Sequence, residues 1–408
     1  MEERHGDRLG RVLGSILFSR ITINTAFRMT YPFLPAISRG LGVSFQTSGL
    51  LVTTRSLGGL SALFFGPFGD RFGRRTTMIL GLTLFIVGAS LVGSLPVFWI
   101  TVVAFALIGM AKSAYDPAMQ AYLSERVPYD RRARILGFTE LSWAGGWLLG
   151  VPVSGYMIGH FGWQSPWLLM AAVAMPSLLL TFFLPVRDES RPCASPSWSQ
   201  GSIVSLLRTP RVPAALVTVL LIPFANEQFF VVYGAWMEHV FGLGPMALGV
   251  VSLVIGFAEL AGEIGVTLFT DRLGKGRSLL IGIMFTGFFY LAVPFLSQSM
   301  VSTLVGLGVL FFAYEFAIVS SIPLVSELVP ERRNTMMACF LATATAGRAL
   351  GAVCGPRLWG ATEDLRIHGI VSVLCMTGAF LVGTRVLSKE EGRAFGDGFR
   401  RSETNNRR

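Results

Sequence analysis

Charge is scarce in this chain. Asp, Glu, Lys and Arg make up 14% of the 408 residues against 52% hydrophobic ones, a balance that excludes an ordinary soluble globular protein of this size. Histidine is rarer still. His5, His160, His239 and His368 all fall outside the long apolar runs or at their ends. The four cysteines sit in a polar connection (Cys193) or within or near apolar runs (Cys339, Cys354, Cys375), so no disulfide framework is implied. There is no G-x-S-x-G, no phosphate-binding G-x-x-x-x-G-K-[ST] and no metal-ligand spacing of Cys or His. These gaps argue against an enzyme, against an ATP-driven pump and against any resident metal or cofactor. The alternating period of an outer-membrane barrel is missing too, which leaves helices as the spanning option. The first apolar run is too long for a signal core and lacks a small-residue cleavage site, so no cleavable signal is expected.

What is present is a series of apolar runs, each near the roughly 20 residues that cross a hydrocarbon core. Twelve can be drawn: 12–37, 46–69, 76–94, 97–124, 134–159, 165–185, 212–239, 246–269, 278–297, 301–325, 335–359 and 367–387. They predict an all-α membrane protein. The net charge of +10 at first suggests a nucleic-acid partner, but its distribution argues otherwise. With the N-terminus placed in the cytoplasm, 26 of the 34 Lys and Arg residues fall in cytoplasmic segments, counting Arg134 and Arg385 at the cytoplasmic ends of their spans, while the external loops hold two, Arg39 and Arg366. This asymmetry predicts cytoplasmic termini, and a bacterial inner membrane fits. The tail EGRAFGDGFRRSETNNRR is basic and polar, reads as disordered, and is a candidate for contact with anionic lipid.

Two motifs return half a chain later. GPFGDRFGRR, Gly66 to Arg75, is echoed by TDRLGKGR, Thr270 to Arg277; Asp70 and Asp271 are 201 residues apart. SERVPYDRR at Ser124 is echoed by SELVPERRN at Ser326 at almost the same offset. Two matches at one offset predict a tandem duplication of six helices. The Ser-, Pro- and charge-rich residues 186–211 read as a linker ending in a short amphipathic piece, Ile203 to Leu207. The expected organisation is an N-terminal bundle 1–185, a cytoplasmic linker 186–211, a C-terminal bundle 212–387 and a disordered basic tail 388–408.

On these residues the chain resembles the major facilitator superfamily of transporters, twelve-helix type, over almost its whole length. Gly66, Asp70, Arg71, Gly73, Arg74 and Arg75 match the family's loop 2–3 signature G-x-x-x-D-R-x-G-R-[RK], and Asp271, Arg272 and Gly274 match its degenerate copy in loop 8–9. The pattern is most similar to the drug-exporter branch. The resemblance implies the major facilitator fold, two pseudo-symmetric six-helix bundles, and a latch in which Asp70 joins the halves while the transporter is open outward. A topology-fixing turn with no conformational role explains the same run. The Arg that many proton-driven exporters carry in span 4 is absent, since Phe105 stands four residues before Gly109. Span 5 matches G-P-x-x-G-G only loosely, through Gly146, Gly150, Pro152 and Gly155.

Ionisable residues at membrane depth are costly and usually functional. The N-terminal half carries Arg20, Arg28, Arg55, Lys112, Asp116 and Glu140, net +2; the C-terminal half carries Glu227, Glu259, Glu263, Glu315 and Arg348, net −3. The halves are electrically complementary. In span 1, Arg20, Asn24 and Arg28 lie at i, i+4 and i+8, one helical stripe. The family resemblance implies that spans 1, 4, 7 and 10 line a central cavity, so this stripe should face it. Arg20 could instead reach the cytoplasm, and Arg28 could serve a structural ion pair. Substrate-binding or coupling candidates are Asn24, Arg28, Lys112, Tyr115 and Asp116 in one half and Asn226, Glu227, Tyr314 and Glu315 in the other. Lys112 and Asp116, at i and i+4, could simply neutralise each other. Arg55 has structural and functional readings alike, and Glu140 reads as structural. Glu259 and Glu263 stand one turn apart and read as structural, tied to Arg348. Glu315, with Glu227 second, is the expected proton carrier, because a carrier needs access to both solvents.

The expected function is a secondary transporter, a monomer with lipid around it, that moves a small amphipathic or charged organic molecule outward by alternating access, coupled to protons. Uptake, or translocation of lipid, is the alternative within the class. A non-transporting membrane receptor or assembly factor is the alternative outside it, but such a protein would not need ionisable residues at mid-membrane.

Overall fold

A computed structural model of the chain describes residues 2–127, 135, 139–184, 205–209 and 211–387, excepting the side chains of residues 2–12, 271, 334 and 385–387. Helices dominate the described residues, and most of the connections that are described are short turns. Span 1 is the single helix Glu2–Gly40. Span 2 runs Phe45–Gly58, tightens into a 3-10 turn at Gly59–Ser61 and resumes as Ala62–Phe72. Arg74–Ser94 and Phe98–Ser124 form spans 3 and 4. Span 5 is helical from 139, widens to a π-helix at Gly146–Gly150 and continues as Val151–Phe161; span 6 is Ser165–Phe182. In the second half, span 7 is Val212–Phe230 with Tyr233–Phe241, and span 8 is Pro245–Val251 with Leu253–Leu273. Lys275–Ala292, Met300–Glu327, Arg333–Thr362 and Leu365–Leu387 are spans 9 to 12.

Nine of these helices are long and apolar enough to cross a membrane by length and composition. The other three have visible reasons for falling short. Span 1 carries Arg20 and Arg28, span 2 is broken at Gly59, and span 5 is interrupted by the π-helix at Gly146–Gly150. The π-helix of span 5 sits just before Pro152, which has no N–H to donate back along the helix, so the turn ahead of it can widen. At the hairpin turns between spans 2 and 3 and between spans 8 and 9, Gly73 and Gly274 adopt φ of +92° and +86°, where any other residue would be strained.

The termini define a near end of the bundle. At the far end and down to mid-span the two halves close on each other along three seams. Span 1 meets span 7, where a β-carbon on Gly234 would strike the Pro32 carbonyl. Span 2 meets span 11, where Gly49 lies against the Ala352 carbonyl and Pro356. Span 5 meets span 8, with Gly155 and Gly249 back to back. Small residues permit this close approach in lipid, where dispersion rather than the hydrophobic effect holds helices together. At the near end, Ala62–Phe72 packs on spans 3 and 4 of its own half. The amphipathic piece is described only from residue 205, and its Leu206 is buried with Val212, Met336 and Phe340. The remainder of the linker, apart from residue 211, and the whole basic tail 388–408 lie outside the described residues.

Candidate functional site

Span 1 organises the polar interior. Its stripe Arg20, Asn24 and Arg28 continues at the same pitch to Tyr31, and all four side chains are buried. Three groups of partners gather along it.

The first group lies within the N-terminal half. Arg20 is held by Asp116 (3.3 Å) and by both carboxylate oxygens of Glu140 (2.9 and 3.0 Å), and donates to the Thr139 carbonyl at 2.8 Å. Lys112 donates to Asp116 at 2.8 Å and to the Asn24 side-chain oxygen. Asn24 in turn donates to Ser142 at 3.3 Å. Two cations meet two carboxylates, so the group is internally neutral. Arg20 is thus tied inward, not extended to solvent, and Glu140 is one of its anchors.

The second group crosses between halves. Arg28 of span 1 is ion-paired with Glu259 of span 8. Its guanidinium also lies 3.6 Å above the ring of Trp143 and 5.2 Å from that of Trp147, both on span 5. Lys112 shares the Trp143 ring at 4.8 Å. Glu259 was expected to be tied to Arg348; the ion pair it forms is with Arg28 instead. Glu315 of span 10 lies directly over Gly262, where a β-carbon would come within 2.9 Å of its own. That contact seats it beside the helix that carries Glu259 and Glu263, within electrostatic range of both and of Arg28. Glu315 is 8% exposed, and among the described residues it has no hydrogen-bond or ion-pair partner.

The third group also crosses. The Tyr31 hydroxyl donates to Glu227 of span 7, at 3.0 and 3.2 Å from its two oxygens, and accepts from Arg55 of span 2 at 3.0 Å. Arg55 is braced by the Phe27 carbonyl at 2.8 Å. At the far end an exposed pair, Arg39 with Glu238 at 2.8 and 3.1 Å, makes a further bridge from span 1 to span 7. In both cross-half ion pairs, Arg28–Glu259 and Arg39–Glu238, the cation belongs to the N-terminal half and the acid to the C-terminal half.

Other candidates are placed elsewhere. Tyr115 is fully buried against Gly81 of span 3 and serves the packing of spans 3 and 4. Asn226 accepts a hydrogen bond from Tyr290 of span 9 at 2.9 Å, inside its own half. Tyr314 is buried beside Arg348. Phe105, which stands where exporters carry an arginine, is fully buried with its ring 5.2 Å from Trp167.

In the loop signature, Asp70 pairs with Arg74 of its own half at 2.6 Å, and Arg74 also reaches Glu125 at 3.2 Å. Arg71 is exposed beside Phe72, Arg75 donates to the Leu184 carbonyl at 3.2 Å, and a β-carbon on Gly66 would meet nothing. In the second copy Arg272 is exposed, Lys275 meets Glu327, and the side chain of Asp271 is outside the described residues. Sequence reasoning missed Tyr31, Trp143 and Trp147. Tyr31 carried a signal, since it continues the stripe of span 1. The tryptophans carried none beyond their aromaticity.

The family model described as Major Facilitator Superfamily matches residues 16–352. The chain is 25% identical over 373 residues to the uncharacterized MFS-type transporter YceJ of Bacillus subtilis (strain 168), covering 91% of this chain and 94% of that protein. It is 26% identical over 375 residues to the multidrug resistance protein MdtG of Salmonella paratyphi C (strain RKS4594), covering 89% and 91%. Among solved structures, a bacterial homolog of the human lysosomal transporter Spinster, in an inward-facing and occupied conformation, superposes with a TM-score of 0.73 at 14% identity. That superposition covers 93% of this chain and 97% of the other, and it speaks for the fold.

Proposed function

Because the chain belongs to the major facilitator superfamily, a family of transporters and not of enzymes, we propose that it exports a small amphipathic or charged organic molecule in exchange for protons, by alternating access of its two halves. In this reading the membrane is a bacterial inner membrane, both termini are cytoplasmic, the protein acts as a monomer, and the bundles span 1–185 and 212–387. The far end, clasped shut by the seams, is then the external end. The observation that carries the reading is Glu315. It is a buried carboxylate on a span facing the half-to-half interface, with no hydrogen-bond or ion-pair partner among the described residues, beside a cation already engaged by another acid. Such a group calls for a mobile positive charge, and a proton alternating with substrate supplies it. The multidrug resistance protein among the relatives supports the outward direction.

Asn24, Arg28, Lys112 and Asp116 line the N-terminal side of the same interior and are the residues proposed to meet substrate there. Reconstituted protein tests the coupling. An imposed pH gradient should drive substrate movement in the wild type, and Glu315→Gln should abolish that response while retaining exchange. A wild type that ignores the gradient would refute proton coupling.

A further inference from the structure

Tyr31 stands between two opposite charges that never touch. Its hydroxyl accepts from Arg55 and donates to Glu227, and its ring stacks on Phe230 with centroids 4.5 Å apart and planes 25° from parallel. Arg55 and Tyr31 belong to one half, Glu227 and Phe230 to the other. If the far end opens, spans 1 and 7 part at this contact. Arg55 then keeps Tyr31 and the Phe27 carbonyl, both of its own half, while Glu227 is left with no partner from the opposite side.

A carboxylate at this depth needs a replacement. The C-terminal half holds one ready. Span 11 lies against Glu227 so closely that a β-carbon on Gly351 would come within 2.7 Å of the Glu227 β-carbon. Arg348 precedes Gly351 by one helical turn on that span. Its side chain is solvent-exposed, its guanidinium is hydrogen-bonded to Tyr314 of the same half, and its charge acts on Glu227 and on Tyr31 alike, so no contact between the halves has to break for it to take up Glu227. We infer that Glu227 is a switching carboxylate, held by Tyr31 while the far end is shut and by Arg348 when it opens, so that these two contacts set the balance between the states. The inference rests on the alternating-access reading, but it concerns the protein's conformations without substrate. Loss of transport therefore leaves it standing, and it can fail while transport holds.

The test uses full-length protein in lipid nanodiscs with the four native cysteines replaced by serine. Spin labels go on Thr47→Cys and Thr362→Cys, exposed positions at the far ends of spans 2 and 11, where Gln46 meets Gly360. Tyr31→Phe keeps the ring stack and removes the hydroxyl, so it should raise the ratio of long to short distances at least about tenfold, the scale of one hydrogen bond to a charged group. Adding Arg348→Gln to Tyr31→Phe should reverse most of that rise. Glu227→Gln removes the charge that both partners serve, so in that background Tyr31→Phe and Arg348→Gln should each move the ratio far less than they do with Glu227 present. Unchanged distances in Tyr31→Phe, or an Arg348→Gln that leaves the rise intact, would overturn the switch.

Discussion

Arg28 shows how a cation survives at membrane depth. An unpaired charge there costs at least about 2.5 kcal/mol on insertion scales. Arg28 meets that cost with a carboxylate from the other half and the face of Trp143. Removing one member of a buried pair leaves the other bare, so Arg28→Met should destabilise the protein by about 3 kcal/mol. The double variant Arg28→Met with Glu259→Gln should recover much of the loss. Thermal unfolding in detergent reads both, and a single variant as stable as the wild type would show that the pair is not holding the halves together. The neutral group of Arg20, Lys112, Asp116 and Glu140 follows the same logic inside one half, with Lys112 and Asp116 at i and i+4 on span 4 and Arg20 and Glu140 brought in by spans 1 and 5.

At the scale of the element, small residues decide which helices can touch. Gly109 is the sharpest case. A β-carbon there would lie 2.0 Å from the Arg55 carbonyl oxygen, so spans 2 and 4 meet backbone to backbone. Gly109→Ala must push the two helices apart, at a cost of about 1–3 kcal/mol for overpacking, and Arg55 would move with span 2, away from Tyr31. Gly66→Ala, on an open face of the helix Ala62–Phe72 where a β-carbon meets nothing, should not lower the unfolding midpoint. Equal midpoints for the two variants would mean that span 4 yields easily and that the contact is not tight. The π-helix of span 5 works at this scale too. It places Trp147 toward Arg28 and sets Gly150 against Thr25 of span 1, so a loose sequence match to an exporter motif corresponds to a specific irregularity of the helix.

For the molecule as a whole, the distribution of ion pairs describes one conformation. Cross-half pairs lie at mid-span and at the far end, whereas Asp70–Arg74, Arg74–Glu125 and Lys275–Glu327 each stay within one half at the near end. If the loop signature latches the halves only in the opposite conformation, Asp70 is free to serve its own half here. Asp70→Asn is then expected to shift the protein away from the state open at the far end and to lower transport, with membrane insertion intact. Cysteine labelling from each side checks the shift; normal transport with unchanged labelling would reduce the loop to a topological turn.

Local properties of the chain determined the class of this protein. Apolar run length made it a membrane protein, two repeated motifs made it a duplication, and glycine at positions 73 and 274 fixed the tight turns where φ is positive. The charge totals of the halves were legible as well, because a sum needs no partner assignment. Which charge meets which was decided only by the tertiary structure. Arg28 and Glu259 are 231 residues apart, and nothing in either span's own pattern marks the other as its partner rather than Arg348. Tyr31 reads as one more aromatic until span 2 brings Arg55 to one side of its hydroxyl and span 7 brings Glu227 to the other. Hydropathy and turn chemistry act over a few residues along the chain, whereas an ion pair depends on distances between helices, which close packing at bare glycine backbones sets.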